Sequence, residues 1–185
     1  MTVNIKENSL LVHVCCAPCA SYSFEKLINS GYDITGYFFN PNIQPEFEYN
    51  KRLNDLIKFA DIKKYKIIVE KEDTDSWNRA VKGLEDEREG GKRCEVCFKL
   101  RLEKTALFAK QNGYEGFTTV LTISPHKNSE KINKIGAEIA QKYDIKFIEE
   151  NFKKQHGFKK SLELAEKYNL YRQNYCGCIY SRKQV

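Results

Sequence analysis

No stretch of this chain approaches the roughly 20 consecutive apolar residues that a membrane-spanning helix needs. Its opening residues, MTVNIKENSLLVHVCC, hold a short apolar run but lack the longer run and small-residue cleavage site of a secretory leader. The expected location is therefore cytoplasmic, with no membrane partner. Internal repeats and low-complexity segments are missing as well. With 41% hydrophobic residues and clear periodicity, disorder is excluded. At 185 residues the chain suits one domain, large enough to bury a core without disulfide staples.

What the chain has in excess is cysteine. Seven fall in three tight clusters: Cys15, Cys16 and Cys19; Cys94 and Cys97; Cys176 and Cys178. An odd total does not complete a disulfide framework, and clustered cysteines in a cytosolic domain point to metal or thiol chemistry. The second excess is local positive charge. The net charge is +6, and from Asn151 to Val185 eight basic residues face two acidic ones, so the rest of the chain is balanced. That segment carries Phe152, Phe158, Tyr168, Tyr171, Tyr175 and Tyr180, and could meet a phosphate backbone and stack on bases. A solvated Lys-rich helix is the plain alternative.

Strand and helix signals alternate. Apolar runs at Leu10–Val14, Ile34–Phe39, Lys66–Val69, Gly116–Leu121 and Lys146–Ile148 read as strands. Helical spacing marks Ala20–Ser30, Glu46–Ala60, Cys94–Gln111, Ser129–Tyr143 and Phe158–Tyr168, and Asp73 could cap a further helix through Trp77. The charged stretch Leu84–Arg93 reads as a loop or insertion. This order predicts an α/β domain, a mostly parallel sheet with helices on both faces and a cysteine-bearing C-terminal tail. Ligands of such sheets bind beyond the carboxyl ends of the strands. CCAPC, NPNIQP and TISPHK follow strands one, two and four, so all three belong on that edge.

The cysteine spacing supports three readings. Cys15 and Cys16 lie where a strand hands over to a helix, whose positive end favours thiolates. Cys94 and Cys97, three apart at a helix start, share one face. Cys176 and Cys178, split by Gly177, allow a tight chelate or a strained dithiol. A structural zinc would be served by the pairs 16–19 and 94–97, but leaves three clustered cysteines over. A thioredoxin-like use of CAPC ignores the adjacent Cys15 and the four others. Four thiolates on an iron–sulfur cluster, with further thiols beside it, account for all seven. Of the remaining motif residues, His126 is a candidate proton donor or substrate contact, with an ordinary surface histidine as its plain alternative. His13 reads as packed within a strand, His156 as surface, and Trp77 as core.

LLVHVCCAPC, GYFFNPNIQP, EYNKR, GKRCEVCFKLRLEKTA, GFTTVLTISPHKN and YRQNYCGC, in that order, resemble the cobalamin-independent epoxyqueuosine reductase family, the QueH type. The resemblance runs from Leu10 to Ser181; Gln44 stands where the family is associated with His. It implies reduction of epoxyqueuosine to queuosine in the tRNA anticodon loop, with loss of the epoxide oxygen as water. It also implies a sheet similar to the adenine-nucleotide hydrolase (HUP) group. CCAPC occupies the loop that cradles phosphates there, without its Gly/Ser-rich sequence, so ATP use is not expected.

The resemblance and the spacing together imply a 4Fe–4S cluster on Cys15, Cys16, Cys94 and Cys97, and no cobalamin. Cys176 and Cys178 would be a redox-active disulfide or ligands of a second iron, and Cys19 stays undecided. Removing an epoxide oxygen takes two electrons and two protons, so an external electron donor is needed. His126, Tyr175 and Tyr171 are the proton-donor candidates. Asn40, Asn42, Arg101, Arg172 and Lys183 are candidates for binding tRNA or substrate. A single catalytic domain over 1–185 is expected, with 151–185 a basic helical tail closing over the site. The rival classes are a zinc-stabilised RNA-binding module without redox activity and a thiol-dependent tRNA sulfur transferase.

Overall fold

The computed structural model describes residues 6–71 and 73–184, with side chains over 7–71 and 73–181. Five strands carry the fold: β1 (Lys6–His13), β2 (Asp33–Phe38), β3 (Lys66–Val69), β4 (Tyr114–Thr119) and β5 (Lys146–Phe147). They form one sheet in the order β3-β2-β1-β4-β5, and every pairing is parallel. Leu10, Leu11 and Val12 of β1 are all buried, on alternating faces, as a central parallel strand requires.

The connecting helices are α1 (Ala17–Asn29), α2 (Glu46–Lys63), α3 (Thr74–Ala80), α4 (Lys92–Gln111) and α5 (Ser129–Tyr143), and α6 (Gly157–Lys167) follows β5. The chain steps outward from β1 to β3, then crosses to β4 and steps outward again to β5. Right-handed crossovers therefore put α1 and α2 on one face and α4 and α5 on the other. α6 packs on α1, and α4 packs on β1, β4 and α5. Among the described residues no helix is long and apolar enough to cross a membrane.

Several element ends differ from expectation, among them the start of β1 at Lys6 and the end of α2 at Lys63, and two of the differences have local reasons. α1 starts at Ala17, not Ala20, because Pro18 in a first turn forfeits no hydrogen bond. β4 stops at Thr119, whose hydroxyl accepts the Leu121 N–H at 3.2 Å and opens a 3-10 turn over Val120–Ile123. β3 and α5 occupy the expected residues, and Asp73 caps α3 by accepting from the Ser76 N–H.

The reversal of direction between β1 and β4 leaves a crevice beyond their carboxyl ends. His13 levels that edge. It pairs in register with Tyr37 of β2 and Thr119 of β4. Its Nε2 lies 3.2 Å from the Phe39 carbonyl, which can only accept, so Nε2 carries the proton. Nδ1 then accepts from the Thr119 hydroxyl at 3.0 Å. The packed reading of His13 holds.

Candidate functional site

Cys16 is the residue that caps α1, with extended backbone, and no side chain satisfies the first-turn N–H groups there. Cys15 precedes it and Cys19 lies in the first turn. The three sulfurs all lie within 4.8 Å of one another. Cys15 Sγ is 3.7 Å from Cys16 Sγ. An ion with metal–sulfur bonds of ~2.3 Å in tetrahedral geometry holds its sulfurs ~3.8 Å apart, so this trio fits a metal centre. The Gln173 amide donates to Cys16 Sγ at 3.0 Å. Hydrogen bonds from Cys16 and Cys19 hold the Cys15 thiol well below its ordinary range, against the opposing effect of burial. As donor to Cys15, Cys16 is pushed up to about 12, and Cys19 is raised for the same reason. The trio thus concentrates negative charge on Cys15.

The other four cysteines line a second, smaller cavity of about 40 Å³. Cys94 sits in the first turn of α4 and its sulfur accepts the Gly90 N–H at 3.2 Å. Burial raises the Cys94 thiol. Ahead of α4 the loop 84–90 wraps the buried Arg93 guanidinium, which donates to the carbonyls of Leu84 at 3.0 Å, Glu85 at 2.8 Å and Glu87. Cys176 and Cys178 arrive from the C-terminal segment. A hydrogen bond from Cys178, assisted by the Lys127 charge, holds the Cys176 thiol well below its ordinary range despite burial, and Cys178 is raised as the donor.

Four hydrogen bonds help seat that segment. The Gln44 N–H donates to the Gly177 carbonyl at 2.9 Å, and the Tyr175 hydroxyl donates to the Gln44 carbonyl at 2.6 Å. Arg52, buried and paired with Glu48 at 2.7 Å, donates to the Cys176 carbonyl at 3.2 Å and to the Tyr175 carbonyl at 3.1 Å. Gly177 has φ +103, and a Cβ there would sit 2.8 Å from Ile43, so the residue between the two cysteines has to be glycine.

A cleft of about 320 Å³ adjoins both thiol groups; Cys15, Cys19 and Cys176 line it together with Arg52, Arg101 and Lys127. Burial lowers the Lys127 ammonium's pKa, but the neighbouring thiol groups, Cys176 and Cys15 foremost, outweigh it and raise that pKa. His126 is exposed and lines both cavities. Arg172 lies exposed on the cleft wall.

The structure brings Cys15 and Cys16 together with Cys19, and Cys94 and Cys97 together with Cys176 and Cys178. Cys176 is the member that faces both cavities. Asn40 is fully buried, donating to the Val14 carbonyl at 2.9 Å and accepting from Arg101 at 3.5 Å, so it braces the loop after β1. Asn42 lines the smaller cavity. Tyr175 lines the cleft with its hydroxyl engaged on Gln44. The Tyr171 hydroxyl donates to Glu48 at 2.9 Å. The Lys183 side chain falls outside the described residues. Sequence reasoning missed Lys127, Arg52 and Gln173. Lys127 had a signal, since it ends the TISPHK run already assigned to this edge. Arg52 and Gln173 lie in the EYNKR and YRQNYCGC motifs, but spacing gives no hint of their contacts with the C-terminal segment and with Cys16, because those partners are more than a hundred residues away.

A family model described as epoxyqueuosine reductase QueH matches residues 10–184. The epoxyqueuosine reductase QueH of Streptococcus pyogenes serotype M1 is 45% identical, over 95% of this chain and 71% of that one. Its namesake in Acinetobacter baylyi is 42% identical, over 96% and 82%. That of Thermotoga maritima is 40% identical, over 94% and 90%. Two solved structures share the fold. A predicted subunit of tRNA methyltransferase from Methanocaldococcus jannaschii superposes with TM-score 0.56 at 19% identity, over 85% of this chain and 74% of that one. The U34-tRNA thiolase NcsA of Methanococcus maripaludis, solved with its 4Fe–4S cluster, gives TM-score 0.58 at 14% identity, over 96% of this chain and 62% of that one.

Proposed function

The chain belongs to the epoxyqueuosine reductase QueH family, and from that premise we propose that its seven cysteines hold an iron–sulfur cluster and a second iron beside the tRNA-substrate cleft. It is an oxidoreductase that reduces epoxyqueuosine to queuosine. The observation that carries the metal reading is the convergence of seven thiols, in two adjoining groups, on the carboxyl edge of the sheet.

In this reading Cys94, Cys97, Cys176 and Cys178 hold the 4Fe–4S cluster, and the trio of Cys15, Cys16 and Cys19 holds the second iron. The sequence-based division, with Cys15 and Cys16 joining Cys94 and Cys97, is the competing one. Bound there, the metals supply the electrons, delivered from an external donor, and an electron-poor centre for the epoxide oxygen.

The protein's own groups do the rest. The base enters the 320 Å³ cleft, where Lys127 and Arg101 offset negative charge on the thiolates and on the departing oxygen. His126, on the wall of both cavities, delivers protons to that oxygen. Arg172 at the cleft meets a tRNA phosphate. Arg52 and Tyr175 keep the C-terminal segment seated, so Cys176 faces the cleft.

Anaerobic purification with iron, sulfide and zinc measured on one sample tests this. More than four irons per chain with about four sulfides, and turnover of epoxyqueuosine-tRNA, is the expected result. Zinc alone, with no iron after reconstitution, refutes the metal assignment. Cys19→Ser should lose about one iron and keep the cluster's visible absorbance. Cys178→Ser should lose the absorbance. If Cys178→Ser keeps it and Cys15→Ser loses it, the sequence-based division is the correct one.

A further inference from the structure

The smaller cavity has a feature that its thiols do not explain. Trp77 is wholly buried, packs with Cys97 and Cys178, and lines that cavity. Its indole Nε1 has no hydrogen-bond partner among the described residues. The side-chain Nε of Arg93 and Oδ1 of Asn42 are likewise buried and unpartnered, and both residues line the same space. A buried N–H left without an acceptor costs about 1–3 kcal/mol, and such atoms are rare in a folded protein. Here two donors and one acceptor border one cavity of about 40 Å³. Neither Cys97 nor Cys178, the thiols packed beside the indole, takes the Nε1 proton.

The rest of the indole's surroundings fix its position. Its ring stacks on Tyr180, centroids 6.1 Å apart, and the Arg93 guanidinium lies 5.3 Å from the far partner, the Tyr180 ring. Three carbonyls in turn hold Arg93. A donor on so constrained a ring presents its proton in one direction, which suits a fixed sulfur acceptor.

We propose that Trp77 is a positioning residue of the redox centre: its Nε1–H donates a hydrogen bond to a sulfur of the iron–sulfur group held at the Cys94/Cys97/Cys176/Cys178 cavity and raises that group's reduction potential. A hydrogen bond to a cluster sulfur stabilises the more negative, reduced state, and such bonds are among the determinants of cluster potential. The inference rests on the metal reading above, including its assignment of the cluster to this cavity.

The chain holds one tryptophan, so the test is free of background. The full chain is produced with tryptophan labelled by nitrogen-15 in the indole, reconstituted, reduced, and measured by pulsed EPR in H₂O and in D₂O. A nitrogen-15 coupling together with an exchangeable deuteron coupling is expected. In parallel, Trp77→Phe, which keeps most of the ring and loses the donor, should hold its iron and lower the midpoint potential. Val81→Ala, a packing change in the same cluster of side chains, should lower stability and leave the potential alone. Full iron loading with no indole coupling overturns the inference even if Trp77→Phe fails to fold, since that measurement uses the unaltered chain. An unchanged potential in a loaded Trp77→Phe overturns it as well. Failure to bind iron at all removes the metal reading and this inference with it, and is recognised by the iron content alone.

Discussion

His13 shows how one residue can join the sheet to the site. Burial, followed by the Arg101 charge, lowers its pKa to about 3. In the unfolded chain a histidine titrates near 6.5. Between these values the unfolded state binds more protons, so stability falls as pH drops from about 6.5 toward 3, by at most ~1.4 kcal/mol per pH unit. Above that window the residue contributes no pH dependence. Urea unfolding at several pH values should show this slope, and His13→Asn should flatten it while keeping a donor for the Phe39 carbonyl. Equal slopes in the two proteins would mean that the imidazole is not held neutral. Trp77 is the opposite case: a core reading from sequence is right about its burial and silent about its unpaired N–H, because no local pattern encodes the absence of an acceptor.

At the scale of elements, the decisive one is the segment 171–178, which has no regular structure and is held by side chains of α2 and by the backbone of the loop after β2. Arg52 is its anchor. Arg52→Met would leave the buried Glu48 carboxylate with only the Tyr171 hydroxyl as donor, and would take this donor from two carbonyls. Removing one partner of a buried ion pair costs roughly 3–5 kcal/mol. The expected outcome is a lower unfolding midpoint, faster proteolysis within 171–178 and, with the cluster held as proposed by Cys176 and Cys178, loss of its visible absorbance. A variant that keeps normal proteolytic resistance would show that the segment's other contacts hold it without Arg52. The charged loop 84–90 was legible only as an interruption. In the structure its carbonyls surround Arg93, an arrangement that spacing alone does not reveal.

At the scale of the molecule, the net charge is +6 and its excess belongs to the C-terminal part of the chain. Arg172, Lys127, Arg101 and Arg52 line the same cleft. Binding to tRNA should therefore weaken steeply with salt, each phosphate contact adding about 0.7 to the slope of log affinity against log salt for single-stranded regions. Arg172→Ala should reduce that slope by about 0.7 with kcat nearly unchanged at saturating tRNA. A salt-independent affinity would place recognition in base contacts rather than phosphates.

The sequence by itself determined the family, the parallel α/β class, and the edge of the sheet on which the cysteines gather. Those features follow from local periodicity and from motifs whose residues are neighbours in the chain: Cys15, Cys16 and Cys19 around one helix start, and Cys94 and Cys97 at another. Only the tertiary structure decided that Cys19 completes the first group and that Cys176 and Cys178 face Cys94 and Cys97. It alone set Lys127 among the thiols, Arg52 behind the tail, and an unpaired indole beside Cys97. Each of these depends on where crossovers of many residues return the chain, and the length of a crossover constrains that return only loosely. Its direction is set by helices packing on the sheet, a property of the assembled core rather than of any segment within it.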